Sequence, residues 1–309
     1  MERIQAAIQK AKEQRGEALA AGSAPGTATH PGPHAGVHPG GHPGAHQGGH
    51  PSGQTRQAVA AARAARSELV TAPGAGQAWG EIASFEPDPR LMAKNRVVTF
   101  ADADPAHVTF DMMRTKLLRA FRQNGWTSIG ITSPTEDCGK TTTSLNIAFS
   151  LSHQPEVRTV LVDLDLRRPA VAKHLGLPTP QSMASVMRGT RPIPENFVRY
   201  GDNLAIGTNA SGMRDSSELL LNPATAQGVA SIKHAFAPDV ILYDMPPMLQ
   251  SDDVMAFLPH LDCVLLVAAS ERSRLDEVDK CEQELAEQTQ VLGVVLNKCR
   301  YGGEDYGYY

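Results

Sequence analysis

The sequence predicts an α/β fold: a doubly wound, mostly parallel sheet that holds its ligand at the C-terminal edge of the strands. Three observations carry that expectation. Five short runs rich in Val, Ile and Leu, "TSIGITS" (127–133), "RTVLVDLD" (158–165), "DVILYDMPP" (239–247), "DCVLLVAA" (262–269) and "QVLGVVLNK" (290–298), have the apolar continuity of parallel strands buried on both faces. Helical stretches such as "GKTTTSLNIAFSLSHQ" and "LDEVDKCEQELAEQ" lie between them. The first run leads through "PTEDCGKTTT" directly into a helix, the order in which a phosphate-binding loop is built.

Four segments follow in chain order. Residues 1–22 read as an amphipathic helix with Ile4, Ile8 and Ala11 on one side, either docked on a partner surface or frayed in water. Residues 23–80 form a low-complexity linker. Its tetrapeptide repeat places His30, His34, His38, His42, His46 and His50 four residues apart among Pro and Gly. Such a chain cannot hold a helix, so it serves as a spacer or, with six imidazoles, as a loose transition-metal or pH-sensing tether. An Ala-rich stretch, "TRQAVAAARAARSELV" (55–70), closes the linker. Residues 81–300 carry the strand and helix alternation, and residues 301–309 hold four of the six tyrosines of the chain, Tyr301, Tyr306, Tyr308 and Tyr309.

Composition narrows the class. With 41% hydrophobic and 20% charged residues in 309, the chain can bury one large α/β core. The longest apolar run, "CVLLVAA" (263–269), falls far short of the roughly 20 residues that cross a bilayer, so no direct membrane insertion is expected. The N-terminus has no apolar signal-peptide core, which points to the cytoplasm. Cys138, Cys263, Cys281 and Cys299 show no C-x-x-C spacing and read as free thiols. A net charge of −4 supplies no basic field for nucleic acid.

The chemistry concentrates at strand ends. Pro134 stands where the G-x-x-x-x-G-K-[ST] pattern has its first glycine, but Gly139, Lys140 and Thr141 complete the rest. A loop entering a helix aims the amides of about residues 136–142, among them Asp137, Cys138, Gly139 and Thr142, at phosphate oxygens. Lys140 then meets the β and γ phosphates of ATP, and Thr141 ligates Mg²⁺. The competing reading is a solvated helix start. Asp163 and Asp165 end the second run, beside Arg167 and Arg168, and Asp244 ends the third. Such carboxylates suit Mg²⁺ binding or activation of a hydroxyl; the alternative is a charged strand exit stopped by Pro169.

"ITSPTEDCGKTTTSLNIA", "VLVDLDLRRPAVAKHLG", "VILYDMPP" followed by Ser251 and Asp252, and "VLGVVLNK" occur in the order seen in bacterial tyrosine kinases. Over about Arg96 to Arg300 the chain resembles the cytoplasmic kinase half of that family, the capsule and exopolysaccharide autokinases related to partition and cell-division-site ATPases. The partition relatives carry a lysine in the loop where this chain has Thr135. The resemblance implies a P-loop fold of the partition-ATPase type, ATP and Mg²⁺ as cofactors, and a tyrosine tail that one subunit offers to its neighbour. It implies Asp163 as base or metal-proximal acid, Asp165 and Asp244 with Thr141 at the metal, and Lys140 as stabiliser of the transferred charge. Asn297 resembles the asparagine that approaches adenine, although a strand-end Asn also caps its own turn. Tyr200 and Tyr243 are expected to be structural.

A chain without a membrane span resembles the split form of the family, in which a membrane polysaccharide co-polymerase supplies an activating segment and recruits the kinase to the inner membrane face. The family also builds a ring through a Glu-x-x-Arg-x-x-Arg helix. Here Val108 stands at the glutamate, Asp111 at the first arginine, and only Arg114 matches. Self-association is still expected, but this degenerate helix argues against a ring assembled through it. Glu136 and Asp137 bring negative charge into the loop, which is tolerable where both turn to solvent. Cys138 is expected to be a buried thiol. Two rival classes are a partition or cell-division-type ATPase switch without tyrosine kinase activity, and a nucleotide-binding scaffold without catalysis.

Overall fold

A computed structural model describes residues 74–100, 104–178 and 181–299. The amphipathic helix of 1–22, the His repeat, the Ala-rich stretch and the tyrosines of 301–309 lie outside the described residues. Among the described residues the strands are β1 (Ala83–Ser84), β2 (Ser128–Thr132), β3 (Thr159–Asp163), β4 (Phe197–Tyr200), β5 (Leu204–Gly207), β6 (Val240–Asp244), β7 (Cys263–Ala269) and β8 (Gln290–Asn297). They form one sheet in the order β1-β4-β5-β3-β6-β2-β7-β8, parallel throughout except for the β4–β5 pair.

The five apolar runs fold as β2, β3, β6, β7 and β8, and the first four of these are buried at every residue. No charged side chain interrupts them before the final aspartates of β3 and β6, so both faces can be covered by helices. Pattern reasoning missed β1, β4 and β5. The β4–β5 pair is a short hairpin turning through Gly201, Asp202 and Asn203, and β1 has two residues, too few to show a period.

The helices are α1 (Pro89–Lys94), α2 (His107–Asn124), α3 (Lys140–Ser152), α4 (Val171–Leu175), α5 (Met183–Met187), α6 (Ser216–Leu221), α7 (Pro223–Phe236), α8 (Asp253–Phe257) and α9 (Leu275–Ala286). They divide the core into two apolar layers. Leu117, Phe121, Leu145 and Phe149 from α2 and α3 pack in one, and Met187, Ile232, Phe236, Phe257 and Leu285 in the other. Residues 76–80, before the expected boundary at 81, belong to the packed body: Ala78 is buried, and the Trp79 Nε1–H donates to the Phe236 carbonyl at 2.7 Å.

Arg114 turns toward its own domain. Its Nη1 lies 2.8 Å from Asp111 Oδ1 and 2.9 Å from the Ser150 carbonyl, tying α2 to α3, while Val108 and Met112 are exposed. Tyr243 is fully buried against Phe257, and Tyr200 packs among Phe85, Phe100 and Phe149. Both rings pack as part of the core, and burial raises their hydroxyl pKa above the ordinary value.

Candidate nucleotide-binding site

The strand order decides where the chemistry lies. β3, β6 and β2 are consecutive neighbours, so the loops leaving them meet at one sheet edge. Residues 133–139 run from β2 into α3, whose first residue is Lys140. Gly139 sits at φ 91°, and a Cβ there would lie 2.2 Å from Asn297 Nδ2. Only glycine combines that backbone with that approach. The first amides of α3 are left open to a ligand at the positive end of the helix dipole.

Lys140 is the hub of a buried basin. Its Nζ donates to Asp165 Oδ2 at 2.8 Å, with the two side chains 13% and 4% exposed. Burial opposes the ammonium charge, but Asp244, Asp165 and Asp163 outweigh it and raise the Lys140 pKa. Asp163 and Asp244 are neighbours in the β3–β6 register and are wholly buried. Burial, then the charge of Asp244, raises the Asp163 carboxyl well above the usual carboxylate range. Burial also raises Asp244, with Lys140 opposing.

The carboxylates are held by donors from neighbouring loops. Asp163 Oδ2 accepts from the Val171 amide at 3.1 Å, and the Asp163 carbonyl accepts from Asn209 Nδ2 at 2.8 Å. Asp244 Oδ1 accepts from Ser144 Oγ at 3.0 Å, and Asp165 Oδ1 from the Arg168 amide at 3.0 Å. Asp163 Oδ1 and Asp244 Oδ2 are buried without a hydrogen-bond partner.

Asp244 Oδ2 and the Thr141 hydroxyl at the loop end, with the Asp165 carboxylate on the cavity wall, are hard oxygen donors of the kind that suits Mg²⁺. Among the described residues no cluster of three or more His, Cys, Asp or Glu is arranged to hold a metal alone. Mg²⁺ habitually keeps few protein ligands and fills its shell with water and phosphate oxygens, so the residues fit that ion with a nucleotide.

Above the basin lies a cavity of about 510 Å³. Of the loop residues Glu136, Asp137, Gly139, Lys140, Thr141 and Thr142 line it, together with Asp165, Arg167, Arg168, Ala170, His174, Pro246, Pro247, Gln250, Ser251 and Lys298, whereas Cys138 and Asn297 are not on its wall. Asp163 and Asp244 are set back from its wall. Asn297 donates from Nδ2 to the Cys138 carbonyl at 2.9 Å, bracing the loop from β8. Cys138 is buried, its Sγ 3.4 Å from Ser273 Oγ. Glu136 and Asp137 stay at the cavity rim, paired with Arg168 and Arg272.

Sequence reasoning did not assign Arg167, Arg168, His174 or Ser144 individually. Arg167 reaches the fully buried Asp253, Nη2 to Oδ1 at 3.1 Å, and Gly212 packs on its carbonyl where a Cβ would come within 2.2 Å. Asp253 lies 86 residues away in the chain, so no local signal exposes the pair.

The family model for the CobQ/CobB/MinD/ParA nucleotide binding domain matches residues 129–305, more than half the chain. EpsB of Ralstonia nicotianae is 30% identical over 215 residues, covering 67% of this chain. The tyrosine-protein kinase YwqD of Bacillus subtilis is 25% identical over 199 residues, covering 64% of this chain and 83% of its own. The chain spans only 28% of the length of EpsB. Among solved structures, the kinase domain of the Escherichia coli tyrosine kinase ETK superposes with a TM-score of 0.60 at 24% identity, covering 69% of this chain and 84% of that one, which shows the fold. The VpsO kinase domain does so with a TM-score of 0.55 at 27% identity, covering 63% and 96%. No described helix is long and apolar enough to cross a membrane.

Proposed function

This chain belongs to the CobQ/CobB/MinD/ParA nucleotide-binding domain family, and from that premise we propose that it transfers the γ-phosphate of ATP to tyrosine, with its own tail tyrosines as acceptors. The observation that carries the reading is the buried Lys140–Asp165 contact on the cavity wall, with Asp163 and Asp244 converging on the same ammonium. Relatives named as tyrosine-protein kinases support the choice of acceptor over a nucleotide switch.

In this reaction a tyrosine oxygen bonds to the γ-phosphorus, the bond to the bridging oxygen breaks, and ADP leaves. The α3 amides and Lys140 hold the phosphates and neutralise the charge that moves to the leaving group. Bound Mg²⁺, held by Thr141, Asp165 and Asp244, would neutralise further phosphate charge. By resemblance Asp163 is either the base for the tyrosine proton or an acid beside the metal; wholly buried behind the cavity wall with an Oδ1 that carries no donor, it suits the second role, and the tyrosine proton then passes to a γ-phosphate oxygen. Buried Tyr243 is excluded as acceptor by access, whereas Tyr301, Tyr306, Tyr308 and Tyr309 lie in a Gly-rich acidic stretch of sequence that suits entry into a cleft. By resemblance, a membrane polysaccharide co-polymerase supplies the activating segment at the inner membrane face. Tail phosphorylation would then adjust subunit association during exopolysaccharide export.

Intact-mass and peptide mass spectrometry after incubation with Mg-ATP tests this, with and without the cytoplasmic segment of a candidate co-polymerase. Phosphate on residues 301–309 that disappears in Lys140→Ala is the expected result. ATP hydrolysis with an unmodified tail in every mixture would replace the kinase by the ATPase switch, and nucleotide binding with neither product would make the chain a scaffold.

A further inference from the structure

The two arginines after Asp165 have opposite situations. Arg167 lines the cavity, but its guanidinium is held by buried Asp253 at 3.1 Å. Arg168 keeps its amide on Asp165 Oδ1 but sends its guanidinium, 71% exposed, to Glu136 on the phosphate loop. Both partners line the cavity, so this ion pair links the β2 and β3 loops at its wall. Beside Arg168, His174 also lines the cavity. Its Nδ1 lies 2.8 Å from the Ala170 carbonyl, so Nδ1 carries the proton and Nε2 is the ring nitrogen left for a ligand.

The strand order says which ligand. Lys140 and the first turn of α3 follow β2, in the middle of the cavity, and Asp165 follows β3 on one flank. A γ-phosphate at Lys140 and Asp165 is attacked in line from the side away from the departing ADP. Lys298 after β8 lines the other flank, and Arg168 and His174 stand on the flank beside Asp165, the side on which the proposed acceptor is placed. In the chain's tail, Glu304 and Asp305 immediately precede Tyr306, and no basic residue follows Arg300.

We propose that Arg168 forms an acceptor subsite that selects tyrosines flanked by acidic residues, with the His174 Nε2 lone pair beside it able to accept only from a hydroxyl, and that Glu136 is a built-in competitor occupying Arg168 until the acidic acceptor displaces it. This rests on the kinase reading above. An exposed Arg–Glu pair contributes little by itself, so exchanging one carboxylate for another costs little, and the incoming pair of acids has the advantage of number.

The test is fluorescence anisotropy of a labelled peptide of residues 301–309 on the full chain with Mg²⁺ and a non-hydrolysable ATP analogue, beside the same peptide carrying Glu304→Gln and Asp305→Asn. The acidic peptide is expected to bind about threefold to tenfold tighter, a preference that narrows at high salt. Arg168→Ala is expected to abolish the preference, and Glu136→Gln to strengthen binding of the acidic peptide. Equal binding of both peptides by the unmodified chain, or a preference that survives Arg168→Ala, would overturn the subsite. A preference present in binding while the bound peptide gains no phosphate from Mg-ATP would instead remove the kinase reading and leave the subsite standing.

Discussion

Two sets of ion pairs meet at one loop and differ in burial. On the floor, Lys140–Asp165 is 13% and 4% exposed and sits among two further buried carboxylates. On the rim, Glu136–Arg168 is 42% and 71% exposed, and Asp137–Arg272 is 70% and 57% exposed at 3.4 Å. The chemistry is the same, carboxylate against cation, yet the consequences diverge. A desolvated pair acts strongly on whatever enters its field and leaves a costly charge when broken, whereas a solvated pair is screened and exchangeable. The floor suits a fixed phosphate site, and the rim suits contacts that trade partners.

The largest expected effect breaks the floor. Lys140→Met should lower ATP turnover by about 100-fold or more, read as ADP release under saturating Mg-ATP, because it deletes the cation facing the transferred charge. Next comes the bolt behind the floor. Arg167→Ala strands the fully buried Asp253 and is expected to cost about 3 kcal/mol, lowering Tm by roughly 6–12 °C in a thermal melt.

A smaller effect appears as pH dependence. The folded pKa of Asp163 lies above its unfolded value, so from the unfolded pKa upward the folded chain holds a proton that the unfolded chain has released. Stability from this group therefore falls as pH rises through that window. Asp163→Asn carries no such proton. Without nucleotide or Mg²⁺ it should be more stable than the unmodified chain at pH 8 and lose that advantage at pH 4, read as the difference in denaturant midpoint between parallel chemical melts. The smallest effect belongs to the rim: Glu136→Gln should change stability by less than about 0.5 kcal/mol in the same melts.

Legibility in sequence follows the same division between local and distant causes. The P-loop residues, the strand-end aspartates and strands β2, β3, β6, β7 and β8 were readable because each is announced by neighbours in the chain: apolar continuity, a Gly-Lys-Thr turn, an aspartate closing a buried run. The β4–β5 hairpin was not, being only four residues on each arm with a half-buried outer strand. Nor was the separation of Arg167 from Arg168 readable, since it depends on Asp253 and Glu136, which tertiary packing alone brings to those positions. Asn297 was readable as a strand-end polar residue, but its hold on the Cys138 carbonyl spans 159 residues.

The contrast between floor and rim is tested most directly by titrating a fluorescent ATP analogue, with Mg²⁺, into the unmodified chain, Lys140→Met and Glu136→Gln. Lys140→Met is expected to weaken binding by about 30-fold or more, and Glu136→Gln to change it by less than about threefold. Equal losses in the two variants, or a Lys140→Met chain that binds as tightly as the unmodified one, would contradict that contrast.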